Sequence, residues 1–259
     1  LKSACCKRTA SLAVMAASKS IFCSGSCSAF DSGGRLGDKA SATHAWFSGS
    51  GNDFGCNTDG GGHNLDLSIP ALSKLPAGST VSLSMKSSFN VEWDFDYGFV
   101  LTSTDGGTTW ASQPSTRSTP TTTATSNPNN NACQAAYGNG ITGSSASYTD
   151  PVTVQLDRTL GNYPDQIFVA DSFDISDLAG AKTPILRFSY ATDPGLAQPG
   201  WFIDDVRVTA TTPSGEKVLL KTDFEKSGGP SDPNVFNGGC KPGNPGGKCT
   251  AGWQYVKAG

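Results

Sequence analysis

From Ala45 onward the chain runs in short stretches of alternating apolar and polar residues, separated by Gly, Pro, Asn, Asp and Ser. Runs of four to eight such residues bounded by turn formers predict strands. They fall at 43–48, 64–69, 80–88, 89–103, 108–112, 152–156, 167–171, 184–192, 201–209 and 217–223. Many short strands joined by long loops, with no fixed-period repeat, predict an all-β fold: a two-sheet antiparallel, jelly-roll-like sandwich. The sharpest alternation is FNVEWDFDYGFV at 89–100. Successive strand side chains point to opposite faces. A continuous strand here would send Phe89, Val91, Trp93, Phe95, Tyr97 and Phe99 to the core and Glu92, Asp94 and Asp96 to the other face.

Three carboxylates in a row repel one another unless water, basic partners or a cation offset the charge. A hard divalent ion such as calcium takes oxygen ligands of this kind, while a solvated acidic face is the plainer alternative. WFIDDVRV at 201–208 adds a second acidic position. Alternation puts Asp204 on a face with Phe202, Val206 and Val208, and Asp205 with Trp201, Ile203 and Arg207. A carboxylate on an apolar face requires a metal, an Arg or several N–H donors. Arg187 and Arg207 are the competing cations, and a salt bridge from Arg207 would use up Asp205.

STDGGTTW at 103–110 spells S-x-D-x-G-x-T-W, the Asp-box of sialidases. Asp105 bonds the backbone of its own turn and Gly106-Gly107 supply positive φ, so turn chemistry alone accounts for it. A sialidase propeller repeats the box; this chain has it once. TRSTPTTTATSNPNNN at 116–131 is low in complexity and predicts an exposed long loop.

Composition narrows the function classes. The 259 residues carry 16% charged residues and a net charge of −3, leaving no basic footprint for nucleic acid. No apolar run approaches the ~18 residues of a membrane span. SLAVMAA at 11–17 follows Lys7-Arg8 but is too short for a signal peptide and reads as a short helix. An N-terminal Leu suggests a mature or proteolytically released form. Eight cysteines, mostly in Gly/Ser/Asn-rich loops, point to disulfides and an oxidising compartment. Cys240–Cys249 is the first expected bridge, the N-terminal cysteines are expected to pair among themselves or locally, and Cys56 and Cys133 are then left to pair together. With only two histidines, and Cys23-x3-Cys27 beside Cys5-Cys6 as the sole close cysteine set, no zinc site is expected. The organisation expected is a cysteine-containing N-terminal extension (1–44), the sandwich (45–225) and a cysteine-containing C-terminal tail (226–259).

AWFSGSGND at 45–53, NLDLSI at 64–69, EWDFDYGFVLTSTDGGTTW at 92–110, GNGITGSS at 138–145, FDISDLAGAKTPILRFSYATDPGLAQPGWFIDDVRV at 173–208 and VLLKTDFE at 218–225 occur in that order. Together they resemble the non-catalytic β-sandwich region of the immune inhibitor A family of secreted zinc metallopeptidases, which is related to jelly-roll modules of the MAM type. The family's peptidase domain carries an extended H-E-x-x-H motif. Here His44 stands in THAW and His63 in GGHN, so the resemblance reaches the accessory part alone. It implies a structural calcium held by the Glu of an F-E pair and an Asp of the late I-D-D strand. Those positions are Glu225 and Asp204 or Asp205. The combined candidate ligands are Glu92, Asp94, Asp96, Asp204, Asp205 and Glu225.

The function expected is a secreted or cell-surface, calcium-stabilised accessory module that acts on a protein partner or a domain of its parent. One alternative is a carbohydrate-binding module that uses Trp46, Trp93, Trp201 and Trp253 against a cell-surface glycan. The other is a fragment of a parent that has peptidase activity. No catalytic residue is assigned. Glu92 and Asp94 on one strand face are not spaced as a glycosidase pair, and no nucleophile–base motif occurs.

Overall fold

The computed structural model describes residues 44–48, 63–115, 121–122, 131–145, 168–193, 200–225, 236–237 and 253–257. In chain order the strands are β1 (His44–Phe47), β2 (His63–Leu67), β3 (Thr80–Asn90), β4 (Tyr97–Ser103), β5 (Ala111–Ser112), β6 (Thr121–Thr122), β7 (Gly140–Ile141), β8 (Val169–Asp174), β9 (Ile185–Ala191), β10 (Gly200–Thr212), β11 (Gly215–Thr222), β12 (Phe236–Asn237) and β13 (Gln254–Lys257). Helix α1 (Ala132–Tyr137) and single 3-10 turns at Leu72–Lys74 and Ser176–Leu178 complete the described elements. The fold is all-β, with two antiparallel sheets. One runs β13-β1-β10-β3-β8 with β11 also on β10; the other runs β12-β2-β9-β4-β7-β6 with β5 also on β4. Two strands from the segment expected as a tail, β12 and β13, join these sheets. The helix expected at 11–17, the strand at 152–156, most of the 116–131 loop and the Cys240–Cys249 bridge lie outside the described residues.

Alternation explains which faces meet. Trp46, Val81, Leu83, Met85, Phe89, Trp201 and Ile203 from the first sheet share one buried cluster with Leu65, Leu67, Val100, Leu186, Phe188 and Tyr190 from the second. Burial of this aliphatic and aromatic surface is the main stabilising term. At one point on β4 that faces the other sheet the sequence has glycine. A Cβ on Gly98 would lie 2.7 Å from the Trp201 ring. Gly98→Ala is therefore expected to destabilise by ~1–3 kcal/mol, the usual penalty of overpacking, and chemical denaturation measures it.

Two expectations of register fail, for the same kind of reason. First, 89–103 is not one strand. β3 ends at Asn90, residues 91–96 turn, and β4 starts at Tyr97. The turn resets the phase of alternation. Phe89 and Val91 face the core between the sheets, as does Val100. Tyr97, Phe99 and Leu101 point the other way, into a second cluster with Cys133 and Ala191 against which Trp110 and Tyr137 pack. Trp93 and Phe95 are half-buried in the turn. β4 is thus covered on both faces, and the aromatic run serves two clusters.

Second, β10 carries a β-bulge between Asp204 and Arg207, with Asp205 at φ 48. Before the bulge odd positions face the core (Trp201, Ile203); after it even positions do (Val206, Val208). An extra residue in a strand has this effect. Asp204 consequently shares its face with Phe202, whose ring stacks on Phe47 at 4.3 Å, and not with Val206 and Val208. The bulge also marks a change of neighbour. β1 pairs with Phe202 and Ile203, and β11 takes over from Val206.

The Asp-box forms a closed turn. Asp105 Oδ1 accepts from the amides of Thr108 (3.0 Å) and Thr109 (2.9 Å), and its Oδ2 accepts from the Thr109 hydroxyl (2.6 Å). The Thr109 hydroxyl and amide, then the Ser103 hydroxyl, hold this carboxyl down at about 2. Gly106 and Gly107 sit at φ 77 and 94. Trp110 receives the Arg187 guanidinium at 3.9 Å from its ring centroid. Arg187 in turn binds Asp66 in a two-point pair, at 2.5 and 2.8 Å.

Candidate metal centre

The turn at 91–96 carries the site. The Asp96 and Phe95 amides both donate to the Glu92 carbonyl (3.0 and 3.3 Å), which winds the chain into a single tight loop. Asp94 occupies φ 59, a left-handed conformation that Asp tolerates better than most residues. The loop is pinned from the β7 side. Thr142 donates its hydroxyl to the Glu92 carbonyl and accepts from the Asp94 amide, each at 2.9 Å. Val91 N–H donates to the Gly143 carbonyl at 2.8 Å. From below, the Tyr97 hydroxyl donates to the Asp94 carbonyl at 2.6 Å.

This winding brings Glu92 and Asp96 to one side of the loop, where the chain leaving β9 supplies Asp193. Carboxylate oxygens of the three lie within 4.8 Å of one another. Among the described residues this is the one place where three or more acidic, histidine or cysteine side chains converge so closely. Asp96 is 1% exposed and Asp193 8%, whereas Glu92 is half-buried. Asp96 Oδ1 accepts from the Asp193 amide at 3.1 Å, which locks the β9 exit to the loop.

Burial pushes the Asp96 carboxyl up to about 8; the charges of Glu92 and Asp193 add to the rise and the amides of Asp193 and Glu92 oppose it. A carboxyl raised above its unfolded value of about 3.9 contributes stability that is fully present below that value and is lost as pH rises through the folded one. In chelator, the melting temperature of the metal-free protein is therefore expected to fall between about pH 4 and about pH 8. Scanning calorimetry across that range checks it, and Asp96→Asn should flatten the slope.

Of the six predicted ligands, the structure brings Glu92 and Asp96 together and adds Asp193, which the sequence reading did not single out. Asp193 lies in ATDPG, a turn signal directly after β9. Asp94 sits in the same loop outside the convergent set. Asp204 is buried on β10 and accepts from the Asp205 amide at 2.7 Å. Asp205 pairs with Lys86 at 3.1 Å across the strands, and Arg207 bonds Glu216 instead. Glu225 lies just past β11, and its amide donates to Asp223. None of these three joins the Glu92–Asp96–Asp193 set.

The four tryptophans weighed for sugar stacking are placed as clearly. Trp46, Trp201 and Trp253 are 2%, 1% and 0% exposed, and only Trp93 reaches partly to solvent. A stacking platform needs exposed rings, so three of the four are core residues. Cys133 is disulfide-bonded, to a partner outside the described residues. No helix among the described residues is long and apolar enough to cross a membrane.

No protein-family profile matches the chain. Over 146 residues, 56% of this chain, it is 28% identical to the pre-pro-metalloprotease PrtV of Vibrio cholerae serotype O1, in strains M66-2 and ATCC 39315 / El Tor Inaba N16961. That stretch covers 12% of PrtV. Over 167 residues, 64% of this chain, it is 27% identical to bacillopeptidase F of Bacillus subtilis strain 168, and covers 8% of that protein. The chain is therefore similar to a small part of each of two proteins whose names mark them as peptidases.

Proposed function

We propose that the chain is a secreted, non-catalytic accessory module of a peptidase-type parent, a jelly-roll-like sandwich stabilised by calcium. The observation that carries this reading is the size of the shared piece. Two peptidases of different names each share with this chain a segment amounting to 12% and 8% of their length. A piece that small supports a sandwich unit carried beside a catalytic domain. The chain's own residues agree: its two histidines have no second His at helical spacing, as an H-E-x-x-H site would require. The resemblance to the immune inhibitor A family points the same way and supports the assignment to its non-catalytic region.

Within the module, calcium fits the Glu92–Asp96–Asp193 set. It is a hard cation that takes carboxylate and carbonyl oxygens in a flexible shell of six to eight. Three carboxylates within 4.8 Å supply the charge it needs. A half-buried Glu92 leaves that side of the set open to water. Asp204 and Glu225, the positions implied by the resemblance, are the rival ligands for the same ion. The burial of three tryptophans speaks against the carbohydrate-binding alternative.

The test of the accessory assignment is enzymatic. The purified chain, supplied with calcium and with zinc, is expected to leave casein and a mixed peptide library uncut over a day. Cleavage that survives further purification and stops in chelator would overturn the reading.

A further inference from the structure

The strip 140–145, GITGSS, is buried throughout and grips the chain on both sides of the acidic loop. On the way in, it runs antiparallel to the end of β3. The Ser145 amide donates to the Phe89 carbonyl at 2.9 Å, and the Ser145 hydroxyl accepts from the Phe89 amide at 3.1 Å. Ser144 bridges to Asn90, and the Gly143 carbonyl accepts from the Val91 amide at 2.8 Å. On the way out, Ile141 pairs with Gly98 at the start of β4. Thr142 stands between these two attachments and is 1% exposed. Its hydroxyl reaches into the loop, donating to the Glu92 carbonyl and accepting from the Asp94 amide, each at 2.9 Å. Gly143, at φ 87, leaves room for Trp93: a Cβ there would lie 3.0 Å from the indole ring.

Other side chains hold the remainder of the loop. The Asp94 carbonyl accepts from the Tyr97 hydroxyl at 2.6 Å, and the Phe95 carbonyl accepts from Asn131 Nδ2 at 3.3 Å. The carbonyls of Glu92, Asp94 and Phe95 thus all accept from donors within the protein, and the carboxylates of Glu92 and Asp96 are left to converge with Asp193. Fixing the main chain of a tight turn also fixes where its side chains can reach. We infer that Thr142 is the positioning residue of the acidic set: its hydroxyl holds the 92–94 main chain in the shape that brings Glu92 and Asp96 together, and the loop keeps this shape without a cation. Both Thr142 bonds run to main-chain atoms, so it acts through the loop and not as a ligand. A cation then meets a preformed site, and little ordering accompanies its binding. The loop's shape is a property of the fold; the effect on cation affinity rests on the calcium reading above.

Amide hydrogen exchange on the full chain in chelator tests the loop. The Asp94 amide is expected to be protected to a degree similar to that of Val91, and added calcium should change neither by more than about threefold. Thr142→Val keeps the branched shape and removes the hydroxyl. It should speed exchange at 94–96 about tenfold, as loss of a side-chain hydrogen bond brings, and leave β10 unchanged. Thr142→Ser retains the hydroxyl and should restore the protection. In calcium titrations the valine variant is expected to bind about tenfold more weakly and the serine variant like the parent. An Asp94 amide unprotected in chelator overturns the inference, and this measurement on the parent chain decides it even if the valine variant does not fold. So does a valine variant whose loop is as protected as the parent's, or one whose loop is loosened while calcium binds as before. A parent chain that takes up no calcium overturns the calcium reading instead, and the exchange pattern in chelator still decides the role of Thr142.

Discussion

Excess chelator is expected to lower the melting temperature by about 5–10 °C, and calcium is expected to restore it where magnesium does not. An ion that binds only the folded state stabilises it by mass action, by about 2.7 kcal/mol at a hundredfold excess over its dissociation constant. For a chain of this size each kcal/mol moves the midpoint by ~2–4 °C. The selectivity follows from the shell. Glu92 and Asp96 come from one tight loop and Asp193 from the end of another strand, so their oxygens are set by backbone that serves other contacts. Magnesium demands near-octahedral geometry at short distances and sheds its water reluctantly, whereas calcium accepts an irregular set. Asp193→Asn should remove most of the calcium response. Asp94→Asn should leave it, because Asn also tolerates the left-handed backbone at that position. Asp96→Asn in chelator should melt higher than the parent chain near neutral pH, since the amide is neutral without the proton that burial makes the Asp96 carboxyl take up on folding. If Asp193→Asn responds to calcium as the parent does and Asp204→Asn does not, the ion belongs to the β10–β11 seam. A midpoint indifferent to chelator, with no calcium by elemental analysis, would leave the carboxylates as a plain acidic cluster.

The alternation in the chain was enough to find both sheets. β1, β2, β3, β9, β10 and β11 lie within a few residues of their predicted runs, because each buries one face and a period of two is then required. What alternation does not carry is phase across a break. FNVEWDFDYGFV keeps its odd-position aromatics through residues that are not strand at all, since Tyr97 and Phe99 alternate toward a second cluster on the far side of β4. The signal that marks the break is weak: Asp94 in a left-handed turn, where glycine would have been plain to see. At β10 the same difficulty comes from the Asp204–Asp205 bulge, an extra residue with no glycine to announce it. The metal candidate was half legible for a related reason. Glu92 and Asp96 are close in sequence, but not on one strand face as expected; they meet because a turn winds them together. Asp193 arrives from 97 residues away, and no local pattern predicts which strand end a loop will touch. Helix α1 had no apolar period to reveal it over six residues. Its Asn131 cap was hidden in a run of asparagines.

Trp253→Ala is expected to cost ~3–5 kcal/mol, the usual range for emptying a buried aromatic site, and to lower the midpoint by about 10 °C or more. The residue lies in what composition marks as a Gly/Pro-rich, cysteine-containing tail, yet it is fully buried. Its ring meets Trp201 edge-on with centroids 5.4 Å apart and Phe188 at 6.3 Å. These contacts bridge the sheets, since Trp201 belongs to β10 and Phe188 to β9. The indole N–H donates to the His63 carbonyl at 2.8 Å, at the start of β2. The four residues that follow form β13 and pair with all of β1, from His44 with Lys257 to Phe47 with Gln254. One side chain thus fills the core between the sheets and fixes the strand that covers β1. Trp253→Phe keeps part of the volume and loses the hydrogen bond to His63, so its cost should fall between the parent and the alanine variant. Deleting 226–259 removes β12 and β13 together and should yield a chain without a cooperative melt, with Trp46 and Trp201 shifted toward the emission of solvated indole. A loss below about 1 kcal/mol in Trp253→Ala, far under the range for a filled core site, would mean that the C-terminal strand rests on the sandwich without helping to close it.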